Sequence, residues 1–454
     1  MLPVATYGAE VWYEGTMKPI PYTARTVIPR QSYHTATIDR ALRTAARAVV
    51  PVWRTTPIPV LHRETGIPPA SVLLQQIQRR ASLRLRLLDE AHPIVGRTQV
   101  IRGHGGWAPR APNSPPRATR LQRTAQLVED CERPQLLQPS YTNSPQKTVQ
   151  GKERGTKEFA ESLKRDPPET LHIYSDGSSM NSKTAWAFVA YSHGARIHAQ
   201  SGSLHKAEVF DAEIRGAAEG LAWAAANAEA LQATNVTLCI DNTSVIQGID
   251  GHTPASSQSQ FTRLKSTRQE LPIPVETRWC PGHMGITGNE EADQLAKAAI
   301  GLQNDEQGPA SVSWTRRRNR EERSRIYEAW WEEHQTPTYQ HLGLKIRKGR
   351  NPELALPRQT LYRLIAERTG HGDFAEYHRR AKHERAELTC KCGAEKAQWH
   401  FIDCRLAAGW EYPGTATRAE KIRNLLGPTG WFLFQNLLES TAVFRGGCQG
   451  TVNG

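Results

Sequence analysis

No stretch of about 18 consecutive apolar residues occurs in this chain, so none reads as a membrane-spanning helix. The first residues, MLPVATYGAEVWYEG, lack the charged and apolar regions of a secretory signal. Cysteine is sparse: seven residues are scattered over 454 positions without an even framework. That pattern points away from a disulfide scaffold and toward reduced thiols in an intracellular compartment, with the nucleus the expected location. No internal repeat is evident. Acidic charge is in the minority, with 45 Asp and Glu against 58 Lys and Arg, a net charge of +13 and a pI near 9.5. This balance suits a polyanionic partner, nucleic acid in general, although basic composition alone names none. The length suggests about three domains.

Four carboxylates between 171 and 300 stand out against that basic background. They are Asp176 in LHIYSDGSS, Glu213 in FDAEIRG, Asp241 in LCIDNTS and Asp293 in GNEEADQLAKAA. In the helical stretch AEVFDAEIRGAAEGLAWAAANA, the residues Phe210, Ile214, Ala217, Leu221 and Ala224 mark the packed face. Glu213 shares that face, whereas Asp211 is turned about 200° from it at roughly 100° per residue. LHIY and VTLCI read as buried strands, each ending in an Asp followed by Gly177 or Asn242. Paired side by side, they would bring Asp176 and Asp241 within reach of one ion. Burying an ionised carboxylate without a counter-charge costs several kcal/mol or more. No Lys or Arg in these motifs is an obvious partner, so a divalent cation is the natural candidate. Each acid also has a plainer reading: Glu213 at the edge of its face reaching solvent, Asp176 and Asp241 as turn residues, Asp293 as a first-turn acid favoured by the helix dipole.

Taken in order, SDGS, AE on a helix, IDN and WCPGHMGITGNEEADQLAKAA resemble type 1 ribonuclease H over residues 170–301. The resemblance implies an α/β fold, a mixed five-stranded sheet with helices on both faces. Strands are expected near 171–176, 185–191, 196–201, 235–240 and 275–279, and helices near 207–229, 243–249, 257–270 and 288–299. Only one helix fits between Asp250 and Leu271, so the additional basic handle helix of some relatives is expected to be missing. The resemblance further implies an endoribonuclease that hydrolyses the RNA strand of RNA–DNA hybrids with two Mg²⁺ (or Mn²⁺) ions. Asp176 would bridge both ions, Glu213 and Asp241 would serve one and Asp293 the other. His283 would handle a proton at the leaving group or assist product release, or it is simply a loop residue. Gly177, Ser178, Asn242 and Ser244 would contact substrate.

The flanks read differently. Residues 31–50 and 70–90 carry helical apolar spacing, and QQIQRRASLRLRLLDE sets Arg79, Arg80, Arg84 and Arg86 beside Ile77, Leu83 and Leu87. Such a helix is a solvated face over a core, or a nucleic-acid contact. LPVATYGAEVWYEG and LRTAARAVVPVWRTTPIPVLHRETGIPP resemble the region after the polymerase domain of reverse transcriptases from fungal LINE-like (non-LTR) retrotransposons. The Tyr-x-Asp-Asp motif of that polymerase is not in the chain, so the resemblance implies a fragment of a longer polyprotein, or a gene model that starts late, that does not copy RNA into DNA by itself. Pro-, Gly-, Ser- and Arg-rich residues over 99–167 read as a linker in which LQRTAQLVED and KEFAESLKR form short helices. The C-terminal part opens with a charged helix around WTRRRNREERSRIYEAWWEEHQ, packed through Ile326, Trp330 and Trp331. Beyond it, TCKCGAEKAQWHFIDC offers Cys390, Cys392, His400 and Cys404 as a zinc ligand set. Gly393 allows the turn after the first pair, and His400 and Cys404 would share one face of a helical turn. Common fingers place two residues between the first cysteines, so this spacing departs from them. Fungal elements of this kind resemble it in carrying such a cluster after a phrase like HGDF, here His371 to Phe374.

The expected organisation is thus a helical segment 1–98, a linker 99–167, a ribonuclease H domain 168–303 able to fold alone, and a helical region 304–454 with the Cys/His cluster. An active nuclease and a catalytically silent nucleic-acid-binding remnant are the competing readings. A structural zinc protein is a third, and it leaves the four acids unexplained.

Overall fold

Runs rich in β-branched and aromatic side chains build the central sheet. The computed structural model describes residues 4, 6–13, 15, 18–19, 26–27, 33–99, 119–135, 151–302 and 308–444. Of the expected linker, 100–118 and 136–150 fall outside these, as does part of the N-terminal phrase. Helices used below are α1 (Tyr33–Val49), α2 (Ile58–Thr65), α3 (Ala70–Arg86) and α4 (Lys152–Arg165). Three strands follow, β1 (Thr170–Met180), β2 (Lys183–Ser192) and β3 (Ala195–Leu204), then α5 (Val209–Asn227) and β4 (Asn235–Ile240). Next come α6 (Thr243–Asp250), α7 (Gln258–Glu270), β5 (Val275–Trp279), α8 (Thr287–Ala299), α9 (Val312–His334) and α10 (Arg358–Thr369). Each strand and helix expected within 170–301 is present, and α7 alone occupies the stretch between Asp250 and Leu271. Both short helices expected in the linker also form, at Arg120–Ala125 and as α4.

The chain divides into two compact units, 78–321 and the combined stretches 1–77 and 322–454, with the division falling inside α3 and α9. In the first unit the sheet order is β3-β2-β1-β4-β5. β1 and β2, and β2 and β3, run antiparallel; β4 is parallel to both β1 and β5. Alternation along the strands separates two cores. Ile173, Phe188, Leu238 and Ile240 meet Ala212, Ala217 and Leu221 of α5. Tyr174, Val189 and Cys239 face the other way, toward Ala292 of α8 and Phe159 of α4.

This unit draws residues from beyond 168–303. Phe159 is 3% exposed. Asp166, just past α4, accepts two hydrogen bonds from the Arg278 guanidinium, at 2.6 and 2.9 Å, and lies 2.8 Å from His172 Nε2. On the far side, Ser311 and Ser313 donate to Asp211 at 2.6 and 2.9 Å, together with Ser256 at 2.7 Å, Ser257 at 2.8 Å and the Glu208 backbone N–H at 2.8 Å. Asp211 is turned away from the sheet, as its spacing predicts, yet it is buried, because residues 308–314 cover that side of α5. Four hydroxyls and one N–H solvate the carboxylate in place of water.

In the second unit, Ala46 and Val50 at the end of α1 and Val60 and Leu61 of α2 share one core with Trp331, Tyr339, Leu364, Phe401 and Phe434. Residues from 1–98 and from 304–454 therefore pack together. At its centre Glu64 accepts from Arg63 at 3.0 Å and Tyr339 at 2.7 Å, and Arg368 of α10 reaches Glu64 at 3.3 Å and Glu353 at 3.4 Å. All five are nearly inaccessible. The two arginines hold the Glu64 carboxyl below its usual range despite its burial. Breaking such a buried set by removing one member costs about 3–5 kcal/mol.

A fragment spanning 168–303 loses Phe159, Asp166, Ser311 and Ser313. It is expected to be at least about 3 kcal/mol less stable than one spanning 151–321, the order of a buried Phe deletion. Urea unfolding of the two fragments measures this; equal midpoints and slopes would show that the added contacts contribute nothing.

Candidate active site

Strand register sets up the acidic site. Ser175 pairs with Ile240 across the parallel β1–β4 ladder, so the next residues, Asp176 within β1 and Asp241 just past β4, lie side by side. β1 does not end at Asp176 as expected but runs on to Met180, because 176–180 stay paired with β2. They have the parity of Tyr174 and Cys239, which places both toward the α4 and α8 face. Glu213 arrives from the first turns of α5. That helix seats against β1 at Gly177, where a Cβ would lie 2.8 Å from the Glu213 amide nitrogen and 2.9 Å from the Val209 carbonyl. Gly282 plays the same part beside Asp241, since a Cβ there would lie 2.3 Å from Oδ2.

The carboxylates of Asp176, Glu213 and Asp241 each offer an oxygen within 4.8 Å of the others. Asp176 is 6% and Glu213 4% exposed, and Glu213 Oε2 is buried without a hydrogen-bond partner. Among the described residues none of the three forms an ion pair. Burial, and then the charge of Asp241, push the Asp176 carboxyl up to about 7. Burial, and then Asp176, hold Glu213 well above the usual range. Asp241 is also raised by burial, with His283 and Lys152 opposing the rise.

Asp293 groups differently. It is 8% exposed on α8 and shares a second potential ligand set with His283 and Glu290, again within 4.8 Å. Its charge nevertheless reaches Asp176, whose carboxyl it helps raise. The sequence suggested no basic partner in these motifs, and for Asp293 this is corrected: Lys297 Nζ lies 2.6 Å from Oδ2. The pair follows from i,i+4 helix geometry. His283 is exposed and holds a left-handed backbone at φ 59°. Glu290, which the sequence reading passed over, stands one turn before Asp293 and accepts from the Gly285 N–H at 3.3 Å. Its i−3 spacing from Asp293 was the available signal.

The proposed substrate contacts have local tasks. The Gly177 N–H donates to Asp176 Oδ1 at 2.7 Å. Asn242 Oδ1 caps α6, accepting from Ser244 N at 3.0 Å and Val245 N at 3.3 Å. Ser178 is half-buried, paired with Ala185 of β2, and the Ser244 side chain is exposed.

The donor set fits a hard divalent cation. Mg²⁺ takes oxygen ligands at about 2.0–2.1 Å in octahedral geometry, which sets those oxygens about 3–4 Å apart. Three convergent carboxylates and an orphaned Glu213 oxygen match that requirement; no thiol or imidazole stands among them.

In the other unit Cys390, Cys392, His400 and Cys404 bring their ligand atoms within 4.8 Å of one another. Cys390 Sγ is 3.9 Å from Cys404 Sγ, and Cys392 Sγ is 3.2 Å from His400 Nε2. Tetrahedral zinc, with Zn–S near 2.3 Å and Zn–N near 2.0 Å, needs ligand separations of about 3.5–3.8 Å. The expected turn is present: Gly393 has φ 90°, and its N–H donates to Cys390 O at 2.8 Å. The expected shared helical face is not. His400 opens a 3₁₀ turn ending at Ile402, and Cys404 caps the next one. The Ala394 N–H, foremost, brings the Cys392 thiol down to about 6.

The sequence family described as RNase H matches residues 168–301. Similar solved structures include the N-terminal RNase H domain of a Mycobacterium tuberculosis protein fused to maltose-binding protein, and RNase H1 from the archaeon Halobacterium salinarum. Each is 20% identical with a TM-score of 0.25, covering 29% of this chain and 93% and 97% of theirs. LC11-RNase H1, solved in complex with an RNA/DNA hybrid, is 17% identical with a TM-score of 0.25, covering 29% of this chain and 96% of its own. No curated relative matches the chain.

Raised carboxyls give a pH signature. An acid whose folded pKa lies above its unfolded value binds the extra proton in the native state, so stability falls as pH rises between the two. In EDTA, the sheet-containing unit should lose several degrees of melting temperature between about pH 4 and about pH 7 relative to an Asp176→Asn variant. Millimolar Mg²⁺ at pH 7.5 should restore it. A wild-type-minus-variant difference that is flat with pH, and indifferent to Mg²⁺, would remove the electrostatic argument.

Proposed function

We propose that the RNase H domain at residues 168–301 hydrolyses the RNA strand of RNA–DNA hybrids with two divalent cations, Mg²⁺ or Mn²⁺. The observation that carries this reading is the convergence of Asp176, Glu213 and Asp241, two buried carboxylates and one half-buried, none of them in an ion pair among the described residues. Among the described residues no helix is long and apolar enough to cross a membrane, and the net charge of +13 suits a polyanion. The N-terminal likeness supports an origin in a retrotransposon reverse transcriptase polyprotein.

Asp176, Glu213 and Asp241 would hold one cation, with Asp176 shared and Asp293 serving the second. Bound there, the cations would supply an activated water and neutralise charge on the departing 3′ oxygen. The protein's own groups do the rest. Glu213 would lie near the 2′-hydroxyl, the group that separates RNA from DNA. His283, exposed on its glycine-rich loop, can deliver or remove a proton at the leaving group, and Glu290 beside it can orient the ring. Gly177 and Ser178 within β1, with Asn242 and Ser244 just past β4, would contact the substrate strand.

In the other unit Cys390, Cys392, His400 and Cys404 fit a structural zinc with a closed shell. Its ligand types differ from those of the nuclease site, so the two metals would not compete.

Asp176→Asn is expected to abolish cleavage of hybrid by the full chain while leaving hybrid affinity within about threefold, because an amide keeps the shape and removes the charge that cations need. Duplex DNA should resist the wild type. Turnover by the Asn variant at the wild-type rate would refute the assignment. For the zinc site, elemental analysis of the wild type should give one zinc per chain. Cys392→Ser should lose it and unfold the region around 354–410, with cleavage persisting; far less than one zinc in the wild type would rule the site out.

A further inference from the structure

One cationic group at the acidic site comes from outside the matched segment. Lys152 opens α4, exposed to solvent, and the body of that helix is fixed to the domain through Phe159 and, just beyond its end, Asp166. Gly155 allows the helix to seat against β5, since a Cβ there would come within 2.3 Å of the Trp279 ring. Trp279 Nε1 in turn donates to the Asp241 carbonyl at 3.0 Å. Lys152 Nζ donates to the Gly282 carbonyl at 3.2 Å. Gly282 is the residue whose backbone abuts the Asp241 carboxylate. The helix therefore holds an ammonium at the rim of the acidic trio. Its charge and that of His283 are the two that oppose the rise of the Asp241 carboxyl.

We propose that Lys152 contacts substrate, its ammonium taking a non-bridging phosphate oxygen of the nucleic acid lying across the acidic site. The proposal rests on the hybrid-cleaving reading above. A polyanion approaching several carboxylates is repelled unless cations stand at the rim. Lysine carries a point charge with three rotatable donors on a flexible stem. One donor on Gly282 leaves two for a phosphate. The sequence around Lys152, GKERGTKEF, sits in a stretch that composition alone assigns to a linker, so the contact is visible only once α4 is seen packed on the sheet.

The plainer role is a pin that fixes the loop carrying His283. Phosphate contact and loop pinning separate in their dependence on charge. The affinity of the full chain for a fluorescent RNA–DNA hybrid is read by anisotropy in EDTA for wild type, Lys152→Gln and Lys152→Arg. Cleavage kinetics are measured in Mg²⁺. The Gln variant should bind about five- to tenfold more weakly near 0.1 M salt, and the slope of log affinity against log salt should shrink by about one. KM should rise by a similar factor with kcat nearly unchanged, and the Arg variant should recover affinity. Scanning single neutral methylphosphonate linkages through the hybrid should find one position that weakens the wild type and leaves Lys152→Gln indifferent. An unchanged salt slope, with a linkage scan affecting both proteins alike, overturns the proposal. If Lys152→Gln melts early, the Arg variant decides: its slope and scan must match the wild type, or the contact is refuted. A wild type that cleaves no hybrid but shows the Lys152-dependent phosphate loses the nuclease reading and keeps this one. A wild type without affinity for hybrid refutes both.

Discussion

Three carboxylates forced together at low exposure govern this site. Like charges a few ångströms apart in a poorly solvated place cannot all stay ionised, so the group is either partly protonated or neutralised by something positive. Burial and the neighbouring charges push Asp176 up to about 7 and hold Glu213 well above its ordinary range. The orphaned Glu213 oxygen is the structural trace of the same constraint. An ordinary protein core would not bear this cost; a cation site turns it into affinity for a hard ion.

The scaffold is arranged around that constraint. The parallel β1–β4 register aligns the two aspartates, and glycine at 177 and 282 lets a helix and a loop close on them. The opposite end of the electrostatic range appears two residues from Glu213. Asp211 is equally buried but receives four serine hydroxyls and an N–H, so it needs no ion. One helix thus carries an unsatisfied acid facing the sheet and a fully solvated acid facing the segment 308–314. The second anchors the first, because it fixes the start of α5 at the depth where Glu213 meets the strands.

Much of this was legible in the sequence, and the reason is locality. β-branched runs ending in Asp, a helical stripe that includes Glu213, and one long ordered motif located the strands, helices and acids of 170–301. Spacing along one element cannot show what covers it. It correctly turned Asp211 away from the sheet and could not foresee Ser311 and Ser313 closing over it. It placed Lys152 in a linker because Phe159 and Gly155 acquire meaning only against Tyr174 and Trp279. The Asp293–Lys297 pair and Glu290 were within reach of simple helix arithmetic. The joint core of Val60 and Leu61 with Trp331 and Leu364 was not, since hundreds of residues separate its halves.

Cleavage of hybrid that requires a divalent cation is the property on which the acidic site is most directly tested. Purified full chain is incubated with hybrid labelled in each strand separately, in Mg²⁺ and in EDTA. The result predicted is fragmentation of the RNA strand alone, in Mg²⁺ alone. An intact RNA strand in Mg²⁺, or cleavage that survives EDTA, would contradict it.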